Sequence, residues 1–113
     1  MAQTPEGKVK AGVKKVLNEW DPKPFYYMPV QNGMGVVGIP DIIGCYRSRF
    51  FAIETKKPNK TPTTSDQRVK KCTPNQLNRI KEIMSADGFV IVCDDPSQVV
   101  QLLKAMDEVI DDA

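Results

Sequence analysis

Apolar residues recur at helical spacing near both ends of the chain and gather into short alternating or continuous runs between them. Val9, Val13, Val16, Leu17 and Trp20 form one stripe of a helix spanning 4–20. Thr4 can cap that helix, and Pro5 suits its first turn. Asp21-Pro22-Lys23-Pro24 closes it. Residues 25–30 then read as a strand, with Pro29 marking an edge or a bulge. Residues 42–46 and 50–56 read as a hairpin turning at Arg47-Ser48-Arg49. Residues 57–71 show no periodicity and read as a long polar loop, a length that is usually functional or disordered. Thr73 and Gln76 have the spacing of a capping box, with Pro74 at the first helical position. Gln76, Ile80, Ile83 and Met84 share a face of that second helix, and Asp87-Gly88 closes it with a glycine cap. The continuous run Phe89-Val90-Ile91-Val92-Cys93 predicts a strand buried on both faces. Asp95-Pro96-Ser97-Gln98 opens a last helix whose stripe is Val99, Leu102, Leu103, Met106, Val109 and Ile110. The expected order is α-β-β-β-α-β-α, an α/β fold with a mixed sheet, in one domain over 1–113.

One strand end carries charges where apolar residues are expected. Side chains alternate along a strand, so Glu54 and Lys56 point the same way as Phe50 and Ala52, away from Phe51 and Ile53. The hairpin brings Asp41 next to Glu54. Adjacent carboxylates repel, and a divalent cation or a shared proton is the usual remedy. Glu6 leans toward the apolar face of the first helix. It either complements the helix dipole at an exposed first turn or adds a carboxylate to the same place.

Composition narrows the class. The chain has 113 residues, 41% hydrophobic and 27% charged, as in ordinary globular domains. No apolar run reaches the length of a membrane span, and the start lacks an apolar signal core. With no histidine and three scattered cysteines a zinc site is excluded, and a reduced, cytoplasmic protein is expected. Net charge is only +2, yet it is unevenly spread. Residues 47–71 hold eight Lys/Arg against Glu54 and Asp66, whereas residues 82–113 hold eight acids against Lys104. The basic segment directly follows the acidic pair, which favours contact with nucleic acid over a merely solvated loop. Lys57, Lys60, Arg68, Lys70, Lys71 and Arg79 are the candidate nucleic-acid contacts. The glycines of Gln31–Gly38 do not make a P-loop, since no Gly-Lys-Ser/Thr follows. They read as a turn feeding the next strand.

Pro40-Asp41 followed by Glu54-Thr55-Lys56 resembles the PD-(D/E)XK pattern. With Gly38-Ile39-Pro40-Asp41-Ile42-Ile43-Gly44 around it and Thr73-Pro74-Asn75-Gln76 downstream, residues 6–94 resemble the VRR-NUC family of that nuclease superfamily, in its standalone phage or bacterial form. The resemblance implies a restriction-endonuclease-like core, with a mobile basic loop at 57–72. It implies a Mg²⁺-dependent endodeoxyribonuclease, with Mn²⁺ substituting and no small-molecule cofactor. It also implies branched DNA (junctions or flaps) as substrate and a homodimer as the working state. Asp41, Glu54, Lys56 and Gln76 would be catalytic. Glu6, Asp41, Glu54 and the Thr55 carbonyl would hold the metal. The cytoplasm would be that of the host if the chain is phage-encoded. Rival readings are a catalytically silent nucleic-acid-binding module, an interaction module using the acidic last helix, and a sequence-specific restriction-type nuclease on the same fold.

Overall fold

The computed structural model describes residues 3–31 and 35–113. Four strands form one sheet in the order β1-β2-β3-β4, with β1 at Phe25–Tyr27, β2 at Ile42–Tyr46, β3 at Arg49–Thr55 and β4 at Phe89–Cys93. The first three strands are antiparallel neighbours, and β4 joins β3 in parallel. The helices are α1 (Pro5–Glu19), α2 (Ser65–Val69), α3 (Pro74–Ser85) and α4 (Ser97–Asp111). The mixed α+β architecture expected from the sequence is present.

α1 and α4 lie together on one face of the sheet. Val9, Val13 and Leu17 of α1 and Val99, Leu102, Leu103 and Met106 of α4 close over Ile42, Tyr46, Phe51 and Ile53. On the opposite face α3 packs against β4 and reaches over the end of β3. β1 presents Phe25 and Tyr27 to that side, and they remain 70% and 54% exposed.

Several expectations are corrected. The first strand keeps only Phe25–Tyr27 of the expected 25–30. The loop after β3 is not wholly irregular, because Thr64 and Gln67 make a reciprocal capping box that starts the one-turn helix α2. The order is therefore α-β-β-β-α-α-β-α. Met84 is 61% exposed rather than inward, since only Ile80 of α3 is fully covered. The first three residues of β4 are half-buried, because β4 is an edge of the described sheet. α3 ends on a left-handed residue, as expected, but that residue is Asp87 (φ 63°), with Gly88 N–H donating to the Ile83 carbonyl. Part of the glycine-rich Gln31–Gly38 segment, residues 32–34, lies outside the described residues.

Two acids of the last turns of α4 are engaged by the hairpin. Tyr46 Oη accepts from Trp20 Nε1 (3.0 Å) and donates to Asp107 Oδ1 (2.9 Å). Arg47, in the two-residue hairpin turn, pairs with Asp107 (2.7 Å) and Asp111 (2.8 Å). One cation of the basic segment is thus matched to the acidic tail. The Arg47 guanidinium holds the Asp107 carboxyl below its usual range, while burial foremost pushes the Tyr46 phenol up. Because one hydroxyl serves α1 and α4 at once, Tyr46→Phe is expected to cost about 1–2 kcal/mol in urea unfolding. An unchanged midpoint would show that the hydroxyl contributes nothing net.

Candidate active site

The site lies where β3 runs out of its apolar stretch. Glu54 is 3% exposed and Thr55 is fully buried, directly after Phe51-Ala52-Ile53 complete the core strand. Asp41 arrives on the approach to β2. Gly38 shapes that approach, for it has φ +85° and a Cβ there would sit 2.5 Å from the Asn75 backbone carbonyl at the start of α3. Gly44 closes the same short word, since a side chain there would crowd Phe51 and the β1 backbone.

Each carboxylate is held by one oxygen. Asp41 Oδ2 accepts from the Thr55 N–H (2.9 Å) and the Thr55 hydroxyl (2.7 Å). Glu54 Oε2 accepts from Gln76 Nε2 (3.1 Å). Glu54 Oε1 is buried and accepts no well-formed hydrogen bond from the described residues, although the Asp41 N–H lies near enough to the carboxylate to favour its charged form. A buried carboxylate oxygen left alone costs free energy unless it is protonated or meets a cation. Burial first, and then the charge of Asp41, push Glu54 up to about 8, with Lys56 opposing and Glu6 adding to the rise.

Gln76 caps α3 and also contacts Lys56 and Glu54. Its amide oxygen accepts from the Thr73 N–H (2.9 Å) to complete the α3 capping box, and it also accepts from Lys56 Nζ (3.0 Å). Its amide nitrogen goes to Glu54. The helix cap therefore fixes the positions of Lys56 and Glu54 together, and Asp41, Glu54, Lys56 and Gln76 occupy one site.

Glu6 is exposed on the first turn of α1. Its charge reaches Glu54, yet among the described residues no three acids, cysteines or histidines are gathered as a metal-ligand set. Of the two other expected carboxylates, Asp41 acts on Glu54 more strongly than the exposed Glu6 does. The donors present still suit a hard divalent cation: free oxygens on two neighbouring carboxylates, one of them buried and unsatisfied.

The expected nucleic-acid residues divide into two groups. Lys57, Lys60, Lys70 and Lys71 are exposed. Arg68 is turned inward, donating to the carbonyls of Val92 (2.7 Å) and Thr63 (2.8 Å), and so ties α2 to β4. Arg79 bonds the Val37 carbonyl (3.3 Å) and pairs with Glu82 (2.8 Å). Two groups were not singled out from sequence. The Thr55 hydroxyl orients Asp41, and Lys10 of α1 brings its ammonium to 3.9 Å from Asp41 Oδ1. Lys10 follows Glu6 by one helical turn, and that spacing was the available signal.

Helices flank a mixed sheet with acids at one strand end and a glutamine-capped helix over them, an architecture consistent with a PD-(D/E)XK-like fold. Among solved structures the chain is similar to one titled "VRR_NUC domain", with a TM-score of 0.65 and 21% identity, covering 90% of this chain and 97% of that one. The fold is that of a VRR_NUC domain. No family model and no curated protein matches the sequence.

Proposed function

We propose that this chain is a divalent-metal-dependent endonuclease that hydrolyses phosphodiester bonds in branched DNA as a homodimer. The observation that carries the reading is the buried, unpartnered Glu54 Oε1 beside Asp41. Asp41, Glu54 and the Thr55 carbonyl would hold Mg²⁺ or Mn²⁺, with Glu6 at the edge of that set. When bound, such an ion polarises water and relieves charge on the phosphate. Thr55 fixes the Asp41 carboxylate by two hydrogen bonds and leaves its other oxygen available. Lys56, steadied on Gln76, places a positive charge where negative charge grows on the phosphate oxygens. Lys57, Lys60, Lys70 and Lys71 supply backbone contacts that carry no sequence information.

The homodimer reading is supported by the uncovered half of the sheet. Phe25 and Tyr27 of β1 and Phe50 of β3 are exposed large apolar residues, and Val30, Val36 and Val37 are exposed in the loops beside β1. Together they line one uncovered face with large apolar side chains that a partner would shield from water. In a two-fold pair this surface meets itself. No helix among the described residues is long and apolar enough to cross a membrane.

The decisive assay offers junction, flap, single-stranded and linear duplex DNA with Mn²⁺, Mg²⁺ or EDTA. Metal-dependent nicking of the branched forms is expected. Binding without cleavage under every metal would instead support the silent-module reading, against which the intact Asp41, Glu54 and Lys56 argue. Cutting at one short duplex sequence would support the restriction-type reading. Sedimentation of the same protein is expected to show a dimer that Tyr27→Asp dissociates, and a wild-type monomer at micromolar concentration would remove the dimer.

A further inference from the structure

One charged group at the site has no part in the nuclease reading above. Four lysines of α1 sit within two turns, and Lys8, Lys14 and Lys15 are exposed whereas Lys10 is half-buried. Glu6, one turn earlier, is the ordinary helix-surface partner for a lysine at this spacing. Lys10 takes Asp41 instead, with Nζ 3.9 Å from Oδ1. That separation is an ion pair without a hydrogen bond, and among the described residues the Lys10 ammonium donates no hydrogen bond at all. Asp41 Oδ2 is fully used by Thr55, so Lys10 lies against the one free oxygen of that carboxylate. Across the site, Lys56 is anchored to Gln76.

We propose that Lys10 is a phosphate-binding residue of this site, resting on Asp41 until a DNA backbone arrives. The inference rests on the nuclease reading. Two carboxylates with free oxygens repel a phosphodiester, and a cation from α1 offsets that repulsion on the side that Lys56 does not serve. A partly exposed pair at this distance is weak, so the ammonium changes partner readily. It has three donors on a flexible stem and acts as a movable point charge.

The test uses the full chain with Ca²⁺ replacing Mg²⁺, so that DNA is bound without turnover. Anisotropy of a labelled branched duplex is followed across a KCl series for wild type, Lys10→Gln, Lys10→Arg and the exposed control Lys14→Gln. Loss of one phosphate contact lowers the slope of log affinity against log salt by about one. Lys10→Gln is expected to show that drop, while Lys10→Arg and Lys14→Gln keep the wild-type slope. Calorimetric titration of the DNA-free proteins with Mn²⁺ is expected to show Lys10→Gln binding the ion at least as tightly as wild type, because a competitor for Asp41 is gone. An unchanged slope in Lys10→Gln, with an altered melting temperature alone, would reduce Lys10 to a structural ion pair. If wild type binds DNA but cuts nothing with Mn²⁺, the nuclease reading fails, while the salt slope still decides whether Lys10 meets a phosphate.

Discussion

Asp41→Asn, Glu54→Gln and Lys56→Met are each expected to lower Mn²⁺-dependent DNA cleavage by at least about 100-fold, with folding retained. The substitutions keep the shape of the site and change its charge. An asparagine at 41 can still accept from the Thr55 N–H and hydroxyl through its carbonyl oxygen. A glutamine at 54 can still accept from Gln76 Nε2. A methionine in place of Lys56 gives up only the bond to Gln76 Oε1, which the Thr73 N–H continues to hold. Circular dichroism and single-turnover cleavage on the preferred branched substrate read both halves of the prediction. Wild-type rates in any one variant would remove that residue from the chemistry. Equal loss accompanied by unfolding would show that charge was not the cause.

Without metal, the protein is expected to lose stability as pH rises from about 5 to above 8. Glu54 ionises near 4.5 when freely solvated, and folding holds its proton to about 8. Across that window the folded state binds more protons than the unfolded one, so raising the pH favours unfolding. The loss is complete once pH exceeds the folded value. For a domain of this size, a drop in melting temperature of roughly 10 °C or more is expected in EDTA. Glu54→Gln removes the titrating group and should flatten the profile, leaving the variant more stable than wild type at pH 8.5. Mn²⁺ should flatten it too, by binding the ionised form. A wild-type profile as flat as that of Glu54→Gln would mean that Glu54 is already ionised and satisfied by water near neutrality.

Most of this site was legible in the sequence because strand periodicity and capping chemistry are local rules. Alternation alone put Glu54 and Lys56 on one face, and both contact Gln76. The capping box at Thr73 and Gln76 formed as its spacing required. Other features depended on tertiary partners. Lys10 reads as one of several helix-surface lysines until the approach to β2 brings Asp41 beside it. Arg68 reads as part of a basic loop, yet the capping box at Thr64 folds its segment and sends the guanidinium to backbone carbonyls of β4. Met84 fits the apolar stripe by spacing, yet it is 61% exposed, and of the α3 residues only Ile80 is buried. β1 ends early where the Pro29 signal stood, so the edge that Pro29 marked is real and shorter than the apolar run suggested.

The double use of Gln76 has a thermal consequence. Its side chain is at once the plug of a helix end and the bracket for a lysine and a buried acid. Helix ends fray more readily than whole domains unfold. Warming would then loosen the first turn of α3 while the core of β3, α1 and α4 still stands, and the placement of Lys56 and Glu54 would be lost with that turn. Turnover in such a protein should decline at temperatures where calorimetry still records an intact fold.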